Sequence, residues 1–113
     1  AIREAIRLRT GVAPGVIITD SFGRPWRLGI TDVAIGVAGI AALEDLRGKP
    51  DADGRMMAAT VRAVADQIAA TAELALGKTA RRPLALIRGA HPQVAEDGSA
   101  RSSLMPPDWD LFR

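Results

Sequence analysis

Two runs of branched apolar residues constrain this chain more than any other feature. Val16-Ile17-Ile18-Thr19 and Val33-Ala34-Ile35-Gly36-Val37-Ala38-Gly39 are short, rich in β-branched residues and flanked by turn formers, so both read as buried strands. Gly15 introduces the first run and Asp20 ends it, because Ser21, Gly23 and Pro25 make residues 21–27 read as a turn. The glycines of the second run leave room for a backbone or ligand to approach closely. Ahead of them, Ile2, Ala5, Ile6 and Arg9 fall at helical spacing with Gly11 as the stop, which predicts the end of an amphipathic helix over residues 1–10.

The longest predicted element is a helix over residues 55–76. Met57, Val61, Val64, Ile68, Ala72 and Ala75 recur at steps of three and four and make one stripe. Arg62 and Asp66 stand four apart on another face and can pair there. Asp51 or Asp53 can cap its start, and Gly77 suits its end. A short helix is expected over 41–47, a loop over 48–54 and a third strand over 83–88, closed by Gly89. Beyond Ala90 the chain turns polar and irregular, and Trp109 and Phe112 need something to pack against. These elements predict an α+β fold, with helices packed on a mixed sheet.

Composition narrows the function classes. Aromatic residues make up 4% of 113 residues, so a core of Ala, Val, Ile and Leu needs close backbone packing and invites a partner surface. The net charge is +2 and the 15 basic residues are dispersed, with Arg81-Arg82 the adjacent pair. A nucleic-acid binder gathers cations into a patch beside stacking aromatics, so no nucleic-acid partner is expected. Cysteine is absent, which excludes disulfides, thiolate metal sites and a cysteine nucleophile. No run reaches the ~20 apolar residues of a membrane span, and no membrane partner is expected. Ala1-Ile2-Arg3-Glu4 lacks a signal peptide's apolar core and opens in a helical pattern, as a fragment would. The expected compartment is the cytoplasm.

Candidate chemistry clusters after the first strand. Asp20 would stand at a strand end beside the Ser21 hydroxyl, where ligands commonly sit because loops converge over a rigid sheet. A carboxylate next to a hydroxyl suits hard cations such as Mg²⁺ or Mn²⁺. Arg24 and Arg27 can neutralise phosphate or carboxylate groups. The alternative is a capped turn, with Asp20 or Ser21 bonding loop amides. Gly77-Lys78-Thr79 resembles a phosphate loop only superficially, since Ala72 stands where the motif needs glycine and the segment closes a helix instead of opening one. His91 precedes a proline in a loop and reads as solvent-facing. Glu44, Asp45, Asp51 and Asp53 lack the spacing of a calcium loop, and Asp66 with Glu73 reads as a solvated helix face.

The run from Ile17 through Thr19-Asp20-Ser21-Phe22-Gly23-Arg24-Pro25-Trp26-Arg27 is similar to the signature of the coenzyme F420-0:L-glutamate ligase family. The resemblance continues in Val33 to Gly39, Asp45-Leu46-Arg47-Gly48, Asp53-Gly54-Arg55, Ala63 to Ala69, Glu73 to Lys78, Arg88-Gly89 and the terminal Asp-Leu-Phe-Arg. It implies a GTP-dependent ligase that joins L-glutamate to the coenzyme F420-0 precursor or a related one through an acyl phosphate, extending a γ-linked tail. Mg²⁺ or Mn²⁺, and K⁺, are the cations it implies. Asp20 matches the family's metal-binding aspartate and Ser21 the neighbouring threonine. Arg24 and Arg27 then meet an anionic substrate, while Leu76, Gly77, Lys78, Thr79, Ala80 and Arg81 match the guanine-nucleotide loop.

Two departures stand out. Archaeal members carry an acidic metal ligand where this chain has Lys78, which puts a second metal in doubt and allows the lysine to meet a phosphate directly. Family members also have about as much chain again ahead of residue 1, with another metal-binding aspartate and a nucleotide-contacting asparagine. Residues 1–113 are therefore expected to be the C-terminal half of the ligase domain, inactive alone and part of an intertwined homodimer. The alternative is a non-catalytic binding or oligomerisation module.

Overall fold

The computed structural model describes residues 1–111. The expected packing of Phe112 and the last two residues of the terminal motif lie outside the described residues. The elements run α1 (Ile2–Thr10), β1 (Val16–Arg24), β2 (Arg27–Ile40), β3 (Glu44–Asp45), β4 (Val61–Arg62), α2 (Val64–Leu76) and β5 (Val94–Ala95), followed by short 3-10 turns at Ala100–Ser103 and Pro107–Trp109. The α+β expectation holds, but every strand pairing among the described residues is antiparallel, so the sheet is not mixed.

A long hairpin dominates the structure. β1 and β2 pair from Val16↔Ala38 to Arg24↔Arg27, with register irregularities at Ile18/Thr19 and Gly23/Arg24. The first strand thus runs through Ser21 and Gly23, and the predicted turn over 21–27 shrinks to Pro25 and Trp26. Proline fixes its own φ near −65°, and Trp26 adopts a φ of 55°, the combination a type II turn uses. Ser21 and Gly23 signal turns only when no partner competes. Here Asp32 and Ile30 pair with them across the hairpin and extend the strand.

α1 ends as expected, with Gly11 in the left-handed region at φ 73° and its N–H donating to the Arg7 carbonyl. Arg3 ties this helix down: Nη1 and Nη2 meet Glu96 Oε2 and Oε1 at 2.6 and 2.8 Å, and Nε donates to the Pro14 carbonyl at 3.0 Å. The guanidinium grips both oxygens, which holds the Glu96 carboxyl below its usual range.

α2 is shorter than the periodicity predicts, beginning at Val64. The preceding residues pair instead with the segment after β2. Leu46 N–H donates to the Thr60 carbonyl, Gly48 N–H to Met57, and Met57 N–H to Lys49. Arg62 pairs with Glu44 across β3 and β4 at 2.9 Å, not with Asp66. Residues 41–47 form no helix, Asp51 closes a turn by accepting the Asp53 and Arg55 amides, and 83–88 forms no regular element and has no strand partner among the described residues. In each case tertiary pairing or its absence overrides local propensity.

The core sits where α2 lies on β2. Ile40, Ala42, Val64, Ala65, Ala69 and Ala72 are its buried apolar residues. Alanine on the contact face lets the helix backbone come close to the strand. Two helix carboxylates then reach the strand amides, Glu73 Oε2 accepting from Asp32 N–H and Asp66 Oδ1 from Ala34 N–H, both at 2.9 Å. Asp66 and Glu73 therefore do not form the solvated face expected of them. They satisfy backbone donors of β2 that no strand covers, a role an apolar side chain cannot fill.

Candidate functional site

The polar centre of the molecule lies between the hairpin and the C-terminal end of α2. Pairing places Ser21 opposite Asp32, and Thr19 stands two residues away on the same face of β1. Thr19 Oγ1 donates to Asp32 Oδ2 at 3.0 Å, and Ser21 Oγ lies 3.4 Å from Oδ1. Lys78 reaches over from just beyond α2. Its Nζ donates to Ser21 Oγ at 2.7 Å and to Asp32 Oδ1 at 2.9 Å, and lies 3.0 Å from Glu73 Oε1.

Burial makes this cluster matter. The Asp32 side chain is 8% exposed and Glu73 20%, whereas Lys78 remains 49% exposed. A carboxylate so enclosed stays ionised only if charge and donors compensate its lost hydration. The hydrogen bond from the Lys78 ammonium is the largest such contribution and holds the Asp32 carboxyl below its usual range against desolvation, with Thr19 and Ser21 helping. The same contacts, Asp32 first and Glu73 second, raise Lys78 above the ordinary lysine value.

Asp20 and Ser21 are not brought onto a common face. Consecutive strand residues leave opposite sides of a sheet, so with Ser21 turned toward Asp32 the Asp20 side chain departs the other way. Asp20 is exposed, and its Oδ1 accepts the Ser21 backbone N–H at 2.8 Å. Ser21 Oγ already accepts from an ammonium, and a divalent ion on the same oxygen would face a like charge at close range. Among the described residues no group of three or more histidine, cysteine, aspartate or glutamate side chains is placed to hold a metal. The side chains present thus do not assemble a complete divalent-cation shell.

Arg24 and Arg27 are exposed and flank the hairpin turn as a register pair, with Arg24 Nη2 3.4 Å from the Leu28 carbonyl. The 76–81 stretch is an exposed bend apart from half-buried Leu76, with positive φ at Gly77 (61°) and Arg81 (51°). It follows the C-terminus of α2, the negative end of the helix dipole, so helix amides do not favour a phosphate there. Basic side chains offset that end: Arg82 Nη1 donates to the Ala75 carbonyl at 3.1 Å. His91 is exposed, as its sequence context predicts.

Of the residues gathered here, sequence reasoning passes over Asp32, meets Thr19 only within the signature run and reads Glu73 as a solvated helix face. Comparison with known proteins then decides the family. The family model described as F420-0:Gamma-glutamyl ligase matches residues 1–89. The chain belongs to the F420-0:gamma-glutamyl ligase family. Among curated relatives of this ligase family, the coenzyme F420:L-glutamate ligase of Haloarcula marismortui is 51% identical over 114 residues, covering 100% of this chain and 44% of the relative. Those of Methanocaldococcus jannaschii and Methanococcus maripaludis are each 42% identical over 113 residues, covering 99% of this chain and 45% of each relative. The chain therefore spans less than half the length of these F420 ligases. No described helix is long and apolar enough to cross a membrane.

Proposed function

We propose that this chain forms part of a ligase that joins L-glutamate to coenzyme F420-0 or a related precursor with consumption of GTP. One observation carries the reading: 51% identity to a coenzyme F420:L-glutamate ligase extends over the whole of this chain. In the proposed reaction a substrate carboxylate oxygen attacks the γ-phosphorus of GTP, GDP leaves, and an acyl phosphate results. The glutamate amine then attacks the acyl carbon, phosphate departs and the amine gives up a proton. Such chemistry depends on positioning and charge neutralisation more than on a protein nucleophile. Cysteine is absent from the sequence, so these residues offer no thiol nucleophile.

The residues divide the work in this reading. Arg24 and Arg27 present two exposed guanidiniums at the hairpin turn to an anionic substrate. The bend over 76–81 borders the nucleotide, and the exposed Asp20 carboxylate is one oxygen donor toward a divalent cation. Among the described residues no group of three or more histidine, cysteine, aspartate or glutamate side chains completes the cation's shell, so no step here is routed through a metal. Exposed Ile18, Phe22, Ile30 and Ile35 on the hairpin supply apolar surface for the proposed homodimer or for the remainder of a longer polypeptide.

The test is GTP-dependent glutamate transfer to F420-0 by the natural polypeptide that contains this chain, beside its Asp20→Ala variant. Loss of about a hundredfold or more in turnover is expected of a displaced cation ligand. Unchanged turnover would refute the role of Asp20. The second reading, a non-catalytic binding or oligomerisation module, draws on the incomplete set of cation donors. Calorimetry of residues 1–113 with GTP and Mn²⁺ separates the two, because a nucleotide-binding half-site gives a heat signal and a module without a nucleotide site gives none.

A further inference from the structure

We propose that Lys78 is a positioning residue which fastens the bend after α2 to the hairpin through Ser21 and Asp32, and that it makes no contact with nucleotide phosphate. This rests on the ligase reading for its kinetic consequences but not for its geometry. An ammonium carries three N–H donors. Three oxygens surround Lys78 Nζ at 2.7, 2.9 and 3.0 Å, from Ser21, Asp32 and Glu73. Two donors make hydrogen bonds and the ammonium also faces the Glu73 carboxylate, so meeting a phosphate would draw Nζ away from the Ser21 hydroxyl or from a carboxylate that has little water to replace it.

The partners span three elements. Ser21 lies on β1, Asp32 on β2 and Glu73 on the last turns of α2, whereas Lys78 itself follows Gly77, whose φ of 61° lets the chain leave the helix sharply. Glu73 is shared, one oxygen accepting from Asp32 N–H and the other facing Lys78. Lys78 therefore closes a ring of contacts in which strand backbone, strand carboxylate, helix carboxylate and bend hold one another. Its effect on the bend is to fix where Thr79, Ala80 and Arg81 begin. Its effect on β1 is to fix the Ser21 hydroxyl, which accepts from Nζ and turns its own proton toward Asp32.

A compact tetrahedral ammonium suits three oxygens in three directions, while a planar guanidinium does not. Phosphate recognition has the opposite preference, since arginine serves it at least as well as lysine. Glutamate transfer by the natural polypeptide, with kcat and KM for GTP measured separately, distinguishes the roles in Lys78→Met, Lys78→Arg, Asp32→Asn and the double variant Asp32→Asn/Lys78→Met. Positioning predicts that Lys78→Met and Lys78→Arg each lose roughly tenfold to a hundredfold in kcat. It also predicts that the double variant is no worse than the poorer single one, because the two residues act as one unit.

A Lys78→Arg variant near wild-type activity, together with a Lys78→Met variant whose KM for GTP rises, would overturn the proposal in favour of phosphate contact. Unchanged kinetics in Lys78→Met would overturn it as well. Hydrogen exchange at the amides of residues 77–82 gives a readout independent of turnover. Faster exchange in Lys78→Met is expected even if no transfer activity is found, and unchanged exchange contradicts the fastening role. Absence of transfer in the wild type would sink the ligase reading alone. Should Asp32→Asn fail to fold, Lys78→Met and Lys78→Arg still decide the matter.

Discussion

At the residue scale the pair Asp32 and Lys78 controls how the site responds to pH. Asp32 is depressed below its ordinary 3.8, chiefly by the hydrogen bond from Lys78. A group with a lowered folded value stabilises the fold above its unfolded value and loses that contribution as pH falls through the folded one. Lys78 is raised above its ordinary 10.5, chiefly by Asp32, so its contribution is complete below that value and lost as pH rises through the higher folded one. Stability from the pair should therefore be level between about pH 4 and pH 10. Thermal melts across pH test this: Asp32→Asn should flatten the acid limb below about pH 4 relative to wild type. Two glycines allow an equally local test. A Cβ at Gly98 would land on the Ile40 carbonyl, whereas one at Gly11 meets nothing within 4 Å but must adopt φ 73°. Denaturant unfolding should show Gly98→Ala costing about 1–3 kcal/mol through overpacking. Gly11→Ala should cost only about 1 kcal/mol, through the left-handed backbone alone.

At the scale of elements the contact of α2 with β2 is both the core and the support of the site. Ala65 and Ala69 are each 1% exposed, and a larger side chain would push the helix from the strand. Ala69→Leu is expected to destabilise by about 1–3 kcal/mol and to separate Glu73 from the Asp32 amide. Leu74, largely exposed on the same helix, should tolerate alanine within about 0.5 kcal/mol, and parallel denaturant titrations check the contrast. This arrangement is partly legible in the sequence. The strand runs at 16–19 and 33–39, the helix ending at Gly11 and the helix body from Val64 to Leu76 follow from periodicity and β-branching. The extension of β1 through Ser21 and Gly23 was hidden, because their turn chemistry outweighs pairing until the partner strand is known. The false helix over 55–63 arose from apolar spacing that the backbone uses for pairing with 46–49. Asp32 was missed because a polar residue at the head of an apolar run carries no motif. Its importance comes from register, which sets it opposite Ser21 once the turn at Pro25 and Trp26 is fixed.

At the scale of the whole molecule, a thin alanine-rich core goes with a hairpin that leaves many apolar residues exposed. Family membership gives that surface a context, since the chain spans only 44% of the Haloarcula marismortui relative. The site is likewise divided: the buried Asp32 carboxylate and its contact with half-exposed Lys78 give shape, while Asp20, Arg24, Arg27 and Arg81 stand exposed. That division explains why the residues of the signature run are clustered in sequence but diverge across two sheet faces. The most direct measurement is mass analysis of F420-0 incubated with L-glutamate, GTP and the natural polypeptide containing these residues. The account predicts a product heavier by one glutamyl residue, or by more as the tail grows, with GDP and phosphate formed in proportion. Intact F420-0 in the presence of folded protein, all substrates and divalent cation would contradict it.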